Sequence, residues 1–189
     1  EKALELIPPS AARVLDLGTG TGAIALALAS ECPAWSLLAV DRVADAVALA
    51  ERNRQRAGLA NVRVLQGSWF EPVDGVFDLI VSNPPYIDPQ DPHLDQGDVR
   101  FEPLSALVAE EHGLADIRYI ATHARAFLVT GGILQFEHGY DQAEAVRQLL
   151  AELRYSDIES AQDYGGNDRI TWASWHNPVA EQETKQNAE

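Results

Sequence analysis

The sequence predicts an α/β fold in which helices cover both faces of a mostly parallel, seven-stranded sheet. Short apolar segments alternate with helical patterns from Arg13 almost to the end of the chain, as in parallel sheets with right-handed crossovers. A glycine-rich turn directly follows the first apolar segment, and this is a common strand-to-helix connection in such folds. The 189 residues, of which 46% are hydrophobic, suffice for one domain with its own core.

Most of the predicted strands are short apolar segments closed by polar residues, glycine or proline. They are Arg13–Leu17, Trp35–Val40, Asn61–Gln66, Val76–Ser82, Ile133–Glu137, Tyr155–Ala161 and Arg169–Trp175. The helices predicted between them are Thr21–Glu31, Val43–Ala57, Leu114–Leu128 and Asp141–Arg154. Gly58 follows the second helix, where glycine commonly ends a helix. The segment Asp88–Pro103 predicts a long loop, and loops of this length are usually functional or disordered.

The pattern predicts one domain over residues 12–176. Residues 1–11 are interpreted as the end of a linker or helix, with Glu1–Ile7 helical, and residues 177–189 as a polar, disordered tail. The chain begins at Glu1 and contains no Met, so we expect it to be a fragment of a longer protein.

Composition favours a protein that binds neither nucleic acid nor membrane. The net charge is −15, with 14 Lys and Arg against 29 Asp and Glu, whereas nucleic-acid binders usually carry basic patches. No apolar run approaches the roughly 18 to 20 residues that span a bilayer. Cys32 is the only cysteine, which fits the cytoplasm, and the five histidines lack metal-ligand spacing, so we expect no metal site.

The first candidate site is the glycine loop Asp16–Gly22, which reads Asp-Leu-Gly-Thr-Gly-Thr-Gly. Glycines allow the backbone to approach a ligand closely, and the helix that follows presents unpaired N–H groups. Asp41 ends the second strand, where a carboxylate can accept both ribose hydroxyls of a nucleoside. The spacing also fits a dinucleotide fingerprint or a structural turn. The candidate cofactor-binding residues here are Asp16, Gly18, Thr19, Gly20, Gly22 and Asp41.

The second candidate site is the tetrapeptide Asn83-Pro84-Pro85-Tyr86, which follows the fourth strand and therefore faces the same cleft. An amide nitrogen is a poor nucleophile because its lone pair is delocalised. The Asn83 side-chain oxygen and the Pro84 carbonyl can accept both of its N–H protons, and the prolines pre-organise these acceptors. Tyr86 offers a ring for stacking. We therefore predict Asn83, Pro84 and Tyr86 as catalytic and all four residues as substrate-binding, with a simple Pro-Pro turn as the structural alternative.

These motifs together resemble the release factor glutamine N5-methyltransferases. The resemblance extends from Ala12 to about Trp172. Four stretches carry it: Val14–Gly22, Ala39–Asp41, Ile80–Ile87 and Gly97–Leu104.

The resemblance implies a Rossmann-like class I methyltransferase fold that binds S-adenosylmethionine through the glycine loop and Asp41 and releases S-adenosylhomocysteine. It places Trp69 against the adenine and lets Asn83 also contact the cofactor. The methyl acceptor would be the side-chain amide of the glutamine in the Gly-Gly-Gln motif of a peptide-chain release factor. Residues Arg100–Pro103 would shape that site. This chain has Ser68 where the family often has Asp, and nothing corresponds to the family's N-terminal helical domain.

Two other functions use parts of the same pattern. An adenine N6-methyltransferase on DNA or RNA shares the tetrapeptide, but it must flip out its base and usually carries basic recognition elements. An NAD enzyme or a non-catalytic cofactor-binding module shares the glycine loop, but neither explains the intact Asn83–Tyr86.

Overall fold

The computed structural model describes residues 1–8, 10–87 and 109–177. The predicted loop Asp88–Pro103, the Gly97–Leu104 stretch and most of the predicted polar tail lie outside the described residues. Within the described parts, no helix is long and apolar enough to cross a membrane.

Helices and strands alternate from Lys2 to Gln66, and consecutive strands or helices occur after that. The helices are α1 (Lys2–Leu6), α2 (Ala23–Glu31), α3 (Ala44–Ala57), α4 (Glu110–Gly113), α5 (Ala115–Ala124) and α6 (Ala143–Glu152). The strands are β1 (Arg13–Leu17), β2 (Ser36–Asp41), β3 (Val62–Gln66), β4 (Phe77–Ser82), β5 (Leu128–Glu137), β6 (Ser156–Gln162) and β7 (Asp168–Trp175). Helix α1 confirms the predicted helix at the start. Gly58 caps α3 in a left-handed conformation, as predicted.

The seven strands form one sheet in the order β3-β2-β1-β4-β5-β7-β6. Strands β1 to β5 pair in parallel, and β7 runs antiparallel to both β5 and β6. The prediction of a mostly parallel seven-stranded sheet is confirmed. The strand order reverses between β1 and β4, and the crevice at such a switch point is where open α/β sheets bind ligands.

Side chains of the central strands point alternately to two cores, one on each face of the sheet. In β4, Leu79 and Val81 belong to one core and Ile80 to the other. The first core also contains Leu28 of α2, while the second contains Ile120 of α5. Helices therefore cover both faces, as the sequence predicts.

The predicted helix Leu114–Leu128 is wrong at its C-terminal end. Helix α5 stops at Ala124, and β5 begins at Leu128 rather than at Ile133. Pairing with β4 overrides the helical pattern here: Leu128 is in register with Phe77, whose N–H donates to the Phe127 carbonyl at 2.8 Å. The short helix α4 was not predicted from the sequence.

Candidate active site

A cavity of about 590 Å³ opens at the carboxyl ends of β1, β2 and β4, within the usual size range of small-molecule sites. The three strands end side by side, because Leu17 at the end of β1 is in register with Val40 near the end of β2 and with Ser82 at the end of β4. Six of the predicted site residues line the cavity: Gly18, Gly20, Asp41, Trp69, Asn83 and Pro85.

The glycine loop is fixed to the neighbouring strand by its own backbone. The N–H groups of Gly18 and Thr19 both donate to the Val40 carbonyl, at 2.9 and 3.0 Å. Gly18 has a φ of +72°, and a Cβ there would lie 3.4 Å from the Trp69 ring. The left-handed conformation therefore favours glycine at this position, while a Cβ would only reach ordinary contact with the Trp69 ring.

Asp41 holds the loop while facing the cavity. One carboxylate oxygen accepts the N–H of Gly20 and the other accepts the N–H of Val43, both at 2.9 Å. These bonds fix the orientation of the carboxylate. Each oxygen of an ionised carboxylate can accept about two hydrogen bonds, so both keep capacity for ligand hydroxyls.

Asp16 lies beneath the loop and does not line the cavity. It is buried, and its Oδ2 accepts the Thr19 hydroxyl at 2.6 Å and the Ala25 N–H at 3.2 Å. No described residue donates to Oδ1. Burial raises the pKa of this carboxyl from 3.8 to about 6, against the lowering effect of the Thr19 and Ala25 hydrogen bonds, and the charge of Asp41 raises it further.

The structure therefore gives three of the predicted cofactor-binding residues a supporting position. Asp16 and Thr19 are bonded to each other below the loop, and Gly22 is the N-cap of α2. None of the three is among the residues that line the cavity. These three residues belong to the same short motif as Gly18 and Gly20, so the sequence alone does not distinguish residues that support the loop from residues that line the cavity.

The tetrapeptide is divided between the cavity and the interior. Asn83 is exposed and lines the cavity with Pro85, whereas Pro84 is buried and Tyr86 is half-buried, and these two are not lining residues. The segment is anchored at its start because the Ser82 hydroxyl donates to the Leu17 carbonyl at 2.7 Å. At its end, the Tyr86 carbonyl accepts the Gln142 side-chain amide at 2.9 Å.

Trp69 forms part of the cavity wall next to the glycine loop. Its φ of +47° is in the left-handed region, which is uncommon for a bulky residue and is often found at functional sites. Ser68 also lines the cavity, so the position where the resembled family often has Asp faces the same space. In this chain that position contributes a hydroxyl without charge.

Three charged lining residues were not predicted from the sequence: Arg42, Asp45 and Asp116. Burial raises the pKa of the Asp116 carboxyl, and the charge of Arg42 lowers it. The position of Arg42 next to Asp41 was a signal that could have been used, whereas Asp116 sits in the first turn of α5 with nothing local to mark it. The charged lining residues are thus three acids, counting Asp41 and Asp45, and one arginine, a set that suits a cationic ligand better than a pyrophosphate.

Comparison with known proteins finds curated relatives with more than half of their aligned residues identical to this chain. The chain is 58% identical over 172 residues to a release factor glutamine methyltransferase from Salmonella typhimurium, covering 90% of this chain and 62% of the relative. A release factor glutamine methyltransferase from Escherichia coli is 55% identical over 177 residues, covering 93% of this chain and 64% of the relative. The chain thus spans less than two thirds of the length of these curated relatives.

Structural comparison supports the fold. A crystal structure of a methyltransferase from Pyrococcus furiosus superposes with a TM-score of 0.72 at 19% identity, covering 92% of this chain and 80% of that one. Among family models, the one described as the methyltransferase small domain matches residues 3–98, which include the glycine loop, Asp41 and the tetrapeptide. The chain belongs to the methyltransferase small domain family.

Proposed function

We propose that this chain transfers a methyl group from S-adenosylmethionine to the side-chain amide nitrogen of the glutamine in the Gly-Gly-Gln motif of a peptide-chain release factor. The observation that carries the proposal is that Asn83 and Pro85 line the same cavity as Gly18, Gly20 and Asp41. The names of the relatives at 55 to 58% identity support the choice of acceptor.

The cavity has groups that fit the ribose, the adenine and the sulfonium of S-adenosylmethionine. Both Asp41 oxygens are oriented by backbone N–H groups and can accept the ribose hydroxyls. Trp69 offers a flat surface for the adenine, and the acidic lining favours a positively charged sulfonium. When bound, this cofactor supplies an electrophilic methyl group and leaves as a neutral thioether.

The tetrapeptide would prepare the acceptor. The Asn83 side-chain oxygen and the Pro84 carbonyl accept the two N–H protons of the glutamine amide, which orients its nitrogen and favours pyramidalisation. The Tyr86 ring stacks on the amide plane. Because the prolines restrict the backbone, the acceptors need little reorganisation. The new C–N bond forms as the nitrogen takes the methyl group, and the proton that the nitrogen then loses passes to solvent water.

The proposed partner is the release factor as protein substrate, and the proposed location is the cytoplasm, where translation termination takes place. An exocyclic adenine amine has a similarly delocalised lone pair, so a DNA or RNA acceptor is the outcome to test against. The net charge of −15 disfavours phosphate contacts.

The test is mass spectrometry of the acceptor, digested to peptides or to nucleosides, after incubation of the chain with S-adenosylmethionine and one acceptor at a time. The acceptors are intact release factor, release factor with Asn in place of the motif glutamine, a Gly-Gly-Gln peptide, and adenine-containing DNA. We expect a 14 Da addition, the mass of one CH₂ unit, on the glutamine acceptors alone, and Asn83→Ala should abolish most of it. Methylated adenine with untouched release factor, or equal methylation of the Asn variant, would contradict the proposal.

A further inference from the structure

Gln142 connects the tetrapeptide to the loop after β5. It is the N-cap residue of α6, and its side chain hydrogen-bonds described residues on both sides, as an acceptor on one and a donor on the other. Its Oε1 accepts the N–H of Gly139 at 2.8 Å, and its Nε2 donates to the Tyr86 carbonyl at 2.9 Å. A single side chain therefore bridges two segments that both lie at the carboxyl edge of the sheet.

The Gly139 end of this bridge is itself held firmly. The His138 Nδ1 lies 2.8 Å from the Gly139 carbonyl, and because a carbonyl only accepts, Nδ1 carries the proton. The other ring nitrogen then accepts the Thr171 hydroxyl at 2.8 Å. His138 is fully buried, and its backbone N–H donates to the Arg169 carbonyl at 3.0 Å. Gly139 is thus fixed to β7 through its neighbour.

The Tyr86 end is enclosed from the opposite side. Gly113, at the end of α4, packs so closely that a Cβ there would collide with the Tyr86 carbonyl and lie 2.6 Å from Gln142 Nε2. One residue beyond Tyr86, the Ile87 carbonyl accepts the Ala109 N–H at 3.0 Å. The peptide that leaves the tetrapeptide is therefore held between α4 and the Gln142 amide.

We infer that Gln142 is a positioning residue, which fixes the Tyr86 peptide and thereby the acceptors of Asn83 and Pro84. This inference rests on the proposed amide methylation. With Ser82 bonded to Leu17 at the start of the segment and Gln142 at its end, the tetrapeptide is held at both ends. In-line methyl transfer depends on such alignment, since a displacement of about 1 Å can lower a rate by about 100-fold.

Two substitutions of similar size separate hydrogen bonding from packing. Gln142→Met removes both hydrogen bonds. Gln142→Glu keeps an acceptor for Gly139 but places a carboxylate oxygen against the Tyr86 carbonyl. Gln148→Met is the matched control, because Gln148 is exposed on the same helix and its side chain bonds Glu144.

We expect both Gln142 variants to lower kcat by about 10- to 100-fold on release factor. The affinity for S-adenosylhomocysteine, measured by calorimetry, should stay within about twofold, since Gln142 is not a cavity-lining residue. By NMR hydrogen exchange, the Ala109 amide should exchange faster in both variants. The Gly139 amide should lose protection only in Gln142→Met, and Gln148→Met should behave as the unsubstituted chain.

Normal kcat and unchanged Ala109 exchange in both variants would overturn the inference. A joint fall of cofactor affinity, melting temperature and kcat would also overturn it, because it would indicate a general structural role. An unsubstituted chain that methylates no release factor would contradict the proposed function instead. In that case the exchange of Ala109 and Gly139 still decides whether Gln142 positions the tetrapeptide.

Discussion

The Asp16→Asn substitution tests whether the buried carboxyl group beneath the glycine loop titrates near neutral pH. Burial raises its pKa from 3.8 to about 6, so the folded protein binds a proton between these values that the unfolded chain has lost. The stabilising effect of that proton is fully present below pH 3.8 and is lost as the pH rises through 6. Between low and high pH, this proton changes the free energy of unfolding by about 3 kcal/mol in total, at about 1.36 kcal/mol per pKa unit.

The assay is urea unfolding of the unsubstituted chain and of Asp16→Asn from pH 5 to pH 8. Relative to the variant, the free energy of unfolding of the unsubstituted chain should fall by a little over about 1 kcal/mol between pH 5 and pH 7. This is nearly half of the total change. Asp74→Asn is the control, because it makes the same change of charge at an exposed position.

His138 contributes in the same pH range with the opposite sign. Burial lowers the pKa of its ring, so its effect on stability is present above pH 6.5 and is lost as the pH falls. All three proteins retain His138, and its contribution cancels in the comparison. A stability difference between the chain and Asp16→Asn that stays constant from pH 5 to pH 8 would refute the raised pKa.

Three further substitutions test the site and its support. Asp41→Ala should weaken S-adenosylhomocysteine binding by about 10- to 150-fold in calorimetry, through loss of charge-assisted hydrogen bonds of about 1.5 to 3 kcal/mol; unchanged binding would remove Asp41 from the site. Asn83→Ala should leave this affinity nearly intact and lower kcat by about 100- to 1000-fold, and normal turnover would make Asn83 a turn residue only. Thr171→Val should lower the free energy of unfolding in urea by about 1 to 3 kcal/mol, because the buried His138 Nε2 loses its donor. Thr122→Val should lower it less, since the Thr122 hydroxyl donates to the Arg118 carbonyl in an exposed hydrogen bond.

The parts of the site that the sequence predicts are those in which a local motif and the topology act together. A glycine turn after β1, an acid at the end of β2 and Asn83 after β4 each follow a buried strand. Because parallel strands bring their carboxyl ends to one edge, predicting the strands also predicts that these residues meet. The cavity contains Gly18, Gly20, Asp41 and Asn83 together, as this reasoning requires.

The missed residues reach the site through tertiary contacts that have no local pattern. Gln142 bonds the Tyr86 carbonyl from 56 positions away, and at the start of a helix it looks like any other polar residue. Asp116 faces the cavity only because α5 packs where it does. The error at the end of α5 has a similar origin, since Phe127 and Leu128 continue an apolar run that fits a helix until pairing with β4 takes effect.

Two supports of the site, Asp16 and Gln142, are not among the residues that line the cavity, and this leaves the cavity-facing side chains able to bind a ligand. Asp16 holds the loop through the Thr19 hydroxyl and the Ala25 N–H, at the cost of a carboxyl group that is poorly solvated at neutral pH. Gln142 holds the Tyr86 carbonyl from the other side of the tetrapeptide. An apolar residue at position 16 would avoid the desolvation cost, but it would leave the Ala25 N–H at the start of α2 without this acceptor. Polar groups outside the cavity thus add to the rigidity that Asp41 gives the loop from within it, while Asn83 lines the cavity.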